Sequence, residues 1–147
     1  QLSAQMPVNV PLSELRAGAL SETDRSQQAF AFARVAVIEH RADQNASESY
    51  RAVQTLAKNS SPGIERVLTK NAQSFAAFWL DDDWRASFNE AEHNIEFIEN
   101  SPNRVELRDS FRKTRQELED LDAKRKRTKR KTNIETKTSN SNLPIPF

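Results

Sequence analysis

The densest chemistry in the chain is Lys124-Arg125-Lys126-Arg127-Thr128-Lys129-Arg130-Lys131, seven positive charges in eight residues. Like charges packed this closely on a helix repel one another and cost stability unless a counter-charge opposes them. The run therefore points to a polyanion: nucleic-acid phosphates, anionic lipid headgroups, an acidic protein groove or a nuclear import receptor. Its polyanion-binding residues are Lys124, Arg125, Lys126, Arg127, Lys129, Arg130 and Lys131. The competing reading is a solvated helix end, where cations suit the negative terminus of the dipole. No zinc-finger, basic-zipper or RNA-recognition signature accompanies the run, so it carries no signal for reading base edges.

Two acidic clusters invite a metal reading. Asp81, Asp82 and Asp83 are hard oxygen ligands, but consecutive helical side chains diverge by about 100°, and the glycine and terminal glutamate of a calcium loop are missing. Capping or solvation of a helix end is the simpler account. Glu90 and His93 have the Glu-x-x-His spacing of di-iron bundles. That site needs a second such motif, and the other histidine, His40, has Val37 where the glutamate should be. His93 thus reads as a surface histidine, and nothing beyond His40 and His93 themselves marks a haem pocket. With Gly18 and Gly63 the only glycines, a glycine-rich phosphate loop is excluded. The lack of cysteine excludes disulfides and thiolate chemistry. No catalytic residue, cofactor or metal is expected, and the chain reads as a non-enzyme.

The elements that position these groups are helices. Six of the eleven aromatic residues lie between Ile64 and Ile98: Phe75, Phe78, Trp79, Trp84, Phe88 and Phe97. Ile64, Val67, Leu68, Phe75, Phe78 and Trp79 recur at helical spacing, and Trp84, Phe88, Ala91, Ile95 and Ile98 repeat the pattern beyond the aspartates. This group is expected to be core rather than a base-stacking platform. Between Ser21 and Pro144 the only prolines are Pro62 and Pro102, which cuts the chain into three long segments. Ser21 with Asp24 suggests a helix start. A first helix is expected over residues 22–58, with a bend near Asp43. A second covers residues 62–100, split or unsplit at Asp81–Asp83, and a third runs from 102 to about 130. Leu107, Phe111, Thr114, Leu118 and Leu121 form a coiled-coil seam on the third, which is expected to end at Leu121.

The fold class expected is therefore all-α: an elongated antiparallel bundle of three long helices, or four if the middle one is split near residues 81–83. Residues 1–20, with Pro7, Pro11 and Gly18, read as an irregular arm, residues 21–131 as the bundle, and residues 132–147 as a flexible tail. Residues 124–147 carry 8 Lys+Arg against 1 acid, leaving 14 against 20 in residues 1–123. An acidic body with a basic end is the pattern of an interaction tail. The longest apolar run, residues 29–38, contains Arg34 and is too short to span a bilayer.

Two local stretches carry resemblances. Leu121-Asp122-Ala123-Lys124-Arg125-Lys126 resembles the basic helical stretch of membrane-curving BAR proteins, without the helix that should follow. Ser13-Glu14-Leu15-Arg16 followed by Glu22 and Asp24 resembles the host-entry region of secreted oomycete effectors, although the first arginine of that motif is absent. The functional expectation is a helical binding or assembly protein. Its bundle docks protein partners or a second copy, and its basic helix end contacts a nucleic acid, an anionic surface or an acidic partner. The alternative is a secreted effector or extracellular factor with a nuclear-import-like basic cluster. The start at Gln1 keeps a secreted or processed form open.

Overall fold

Helix ends, more than helix content, decide this architecture. A computed structural model describes the backbone of residues 11–98 and 102–135, and the side chains of 11–98 and 103–128. The described residues are helical with no strand, so the class is all-α. Three long helices are not what they form: the elements are α1 (Leu12–Ser21), α2 (Arg25–Arg41), α3 (Ser47–Lys58), α4 (Ile64–Trp79), α5 (Arg85–Asn94) and α6 (Pro102–Glu135), with a 3-10 turn at Ile95–Phe97. They fall into two compact units, one ending at Arg104 and the other beginning at Val105.

The expected irregular arm is in part a helix. Pro11 precedes α1 in extended geometry, φ -62° and ψ 146°, where its fixed φ leads the chain into the first turn. Leu12, Leu15 and Ala19 make a short row, of which Ala19 is buried. Ser21 closes α1 rather than opening the next helix, its hydroxyl donating to the Gly18 carbonyl at 3.0 Å. The cap of α2 is Asp24, whose carboxylate accepts from the Gln27 amide at 3.0 Å.

The expected helix over 22–58 is broken outright, and the second segment is broken in the same way. After α2, the Gln44 amide donates to Glu39 O at 2.8 Å and the Asp43 amide to His40 O at 3.2 Å, with Asp43 left-handed at φ 57°. After α4, Asp82 N donates to Ala77 O at 2.8 Å and Asp81 N to Phe78 O at 3.3 Å, with Asp81 at φ 65°. Each is a Schellman closure with aspartate where glycine is usual. Each new helix then starts on a side-chain acceptor: Asn45 Oδ1 takes the Ser47 amide at 3.0 Å, and Asp83 Oδ1 takes the Arg85 amide at 3.0 Å. Between them, Gly63 turns into α4 at φ 102°, a conformation that favours glycine. Here Glu65 reaches back to accept the Ser61 amide at 2.7 Å.

In the first unit α2 packs against α1, α3 and α4, and α4 also contacts α3 and α5. Small residues bring these helices together: Ala29, Ala33, Ala72 and Ala76 are fully buried with Val53, ringed by Phe30, Tyr50, Leu56 and Phe75. Phe30 stacks on Phe75 at 5.7 Å. A second aromatic chain joins α4 to α5, with Phe78 edge-on to Trp84 at 6.1 Å and Trp84 edge-on to Phe88 at 5.7 Å. Burying side chains such as Phe78 and Phe88 contributes about 1.5–3 kcal/mol each, enough to fold α5 back onto α4. The flexible tail expected over residues 132–147 lies mostly outside the described residues, although α6 extends through Glu135.

Candidate functional site

The basic run sits in a single unbroken helix, since α6 is 34 residues long and passes through residues 124–131 without interruption. At about 1.5 Å per residue the eight positions cover roughly 12 Å. The less exposed side of α6 runs through Leu107, Phe111, Thr114, Leu118 and Leu121, as the seam requires. It does not stop there. Asp122 and Arg125 continue it at the next four- and three-residue steps, and both are buried.

Burial divides the predicted cations. Arg125 lies 3.8 Å from Asp122 Oδ1, the two side chains 11% and 13% exposed. Asp122 Oδ2 also holds Lys126 at 3.4 Å, but that lysine is 65% exposed. Lys124 and Arg127 are exposed, and Thr128 bonds back to the Lys124 carbonyl at 3.0 Å. The outward charge at the described positions is therefore Lys124, Lys126 and Arg127, while the Arg125 side chain is covered. Lys129, Arg130 and Lys131 extend the same helical backbone.

The acidic candidates do not converge on a metal. Among the described residues no group of three or more histidine, aspartate or glutamate side chains could hold an ion. Asp81 is the left-handed residue that closes α4, Asp83 accepts the first amide of α5, and Asp82 Oδ2 accepts from the Tyr50 hydroxyl at 2.9 Å. Burial, the hydrogen bond to Asp82 and the charges of Asp82 and Asp83 together hold the Tyr50 phenol well above its ordinary pKa of 10.0. Glu90 pairs with Lys70 at 3.2 Å, while exposed His93 meets the Phe97 ring edge-on at 5.8 Å. His40 is exposed at the end of α2. Trp79 and Trp84 are 8% and 2% exposed, so they are core and offer no stacking platform.

A feature unread in the sequence lies between α1, α2 and α3. Glu39 follows the apolar residues Val35-Ala36-Val37-Ile38 and is itself buried. Its Oε2 takes Arg16 Nη2 at 2.7 Å and Arg16 Nε at 2.8 Å, and Arg16 Nη2 also donates to Gln44 Oε1 at 3.2 Å. Both residues line a cleft of about 480 Å³. The signal for it was present, a carboxylate closing an apolar run, but its partner sits 23 positions away in a segment without periodicity.

No family model, curated protein or solved structure matches the chain. No helix among the described residues is long and apolar enough to cross a membrane.

Proposed function

We propose that this chain is a non-enzymatic helical binding and assembly protein whose basic helix end contacts a polyanion. The observation that carries the reading is the sorting of charge on α6: the Arg125 side chain is covered, 11% exposed beside Asp122, while Lys124, Lys126 and Arg127 are exposed on one continuous helix. A preformed helix presents these cations without an ordering cost at the moment of binding. The attraction is mainly electrostatic and weakens as salt rises.

Docking of protein partners draws support from apolar residues left at the surface of the first unit. Ile64 and Leu68 lie one turn apart on α4 and are 52% and 37% exposed, and Phe97 is 62% exposed. The Phe97 carbonyl lies 3.8 Å from where a Cβ on Gly63 would stand, beside the start of α4. Exposed apolar groups of this kind mark contact surfaces.

The test is a pair of variants on the intact chain. Lys124→Gln/Lys126→Gln/Arg127→Gln should strongly weaken binding to duplex DNA, single-stranded RNA and phosphatidylserine vesicles while changing the melting temperature little. Arg125→Gln should do the reverse, keeping most of the affinity and lowering stability. Equal losses of affinity from both variants would overturn the reading.

A further inference from the structure

A carboxylate that follows four apolar residues must either stay solvated or find donors, because an ionised group in apolar surroundings is costly. Glu39 is 4% exposed, and only one of its two oxygens is served. Oε2 holds Arg16, whereas Oε1 is buried with no hydrogen-bond partner. The cleft that Glu39 lines between α1, α2 and α3, at about 480 Å³, is of the size that holds a small organic molecule.

The lining specifies the class of molecule. Arg16 supplies one positive charge against Glu39 and Glu48, so the cleft is net negative and disfavours a carboxylate or phosphate. A divalent metal is disfavoured by the guanidinium 2.7 Å from Glu39 and by the lack of a third converging ligand among the described residues. Leu20, Phe32 and Ala52 give the cleft an apolar wall. We infer that the cleft binds a small primary ammonium ion with an apolar body, its N–H donating to Glu39 Oε1 and its charge shared with Glu48. The oxygen is screened from bulk water, so the ligand supplies the missing donor there while Arg16 keeps its place on Oε2. Arg16 stays charged throughout, and one carboxylate takes two donors on its two oxygens.

Titration of the intact chain with benzylamine, followed by calorimetry and amide chemical shifts, tests this, with benzyl alcohol as the neutral isostere. The expected result is saturable one-site binding, shifts confined to α1, α2, α3 and their loops, and an alcohol at least about ten-fold weaker, as loss of a charge-assisted bond implies. Glu39→Gln should weaken benzylamine by a similar factor and leave the alcohol unchanged. Ala52→Leu, which fills the cleft and spares every charge, should abolish both, and it decides the matter should Glu39→Gln fail to fold. No saturation by benzylamine, an alcohol that binds as tightly, or amine binding that survives Ala52→Leu would each overturn the inference. The variant Lys124→Gln/Lys126→Gln/Arg127→Gln should bind benzylamine normally, so the polyanion reading and this one fail separately.

Discussion

The Tyr50 hydroxyl on α3 donates to Asp82 Oδ2 at 2.9 Å, tying the first turn of one helix to the loop that closes another, 32 positions away. The bond joins α3 to the α4–α5 loop, at the place where the sequence left open whether the second helix was split or continuous. Tyr50→Phe should cost about 1 kcal/mol, the net worth of one such bond at a partly exposed site, read from urea denaturation. Its pH signature is specific. The folded-state pKa is raised above 10.0, so the contribution is complete below pH 10 and is lost as pH climbs beyond it. The gap in stability between the native chain and Tyr50→Phe should therefore narrow above about pH 10.

Asp43 and Asp81 hold left-handed backbone at φ 57° and 65°. Glycine reaches that region without the Cβ penalty, which is about 1–2 kcal/mol for an L-residue and smaller for aspartate. Asp43→Gly should raise stability by up to about 1 kcal/mol, read as a higher denaturation midpoint. Asp81→Val should lower it by more than that.

Arg16 is the only charged partner of the buried Glu39 carboxylate among the described contacts. Removing it by Arg16→Ala leaves that charge uncompensated, and with the arginine 42% exposed the cost should be about 1–3 kcal/mol, below that of a fully buried pair. Replacing both residues, Arg16→Met with Glu39→Leu, should recover most of the loss. A double variant as unstable as Arg16→Ala would contradict the burial argument.

Ala33 and Ala76 are both fully buried in the cluster between α2, α3 and α4. Ala76→Leu should overpack that cluster and destabilise by about 1–3 kcal/mol. Phe78→Ala, at the head of the aromatic chain, should cost about 3–5 kcal/mol, and its chief structural effect should be loosening of α5, detected by amide exchange.

Helical class and aromatic core were legible because Phe75, Phe78 and Trp79, and beyond the aspartates Trp84 and Phe88, recur three or four positions apart. The helix breaks were harder to read. Asp43 and Asp81 look like solvated polar residues, and only backbone geometry reveals that they stand where glycine normally would. α1 escaped notice because Leu12, Leu15 and Ala19 make too short a row beside Gly18, and one of its ties to α2 is the long-range pair of Arg16 with Glu39. On α6 the missed signal was register. Continued by four and three from Leu118, the covered side reaches Asp122 and Arg125, so one arginine of the basic run could have been assigned to that side.

The most direct test of the central claim is the salt dependence of duplex DNA binding by the intact chain. If Lys124, Lys126 and Arg127 neutralise three phosphates, log Kobs should fall against log salt with a slope of at least about 2.7 in magnitude. A slope near zero, or no binding in dilute buffer to duplex DNA, single-stranded RNA or phosphatidylserine vesicles, would contradict the account.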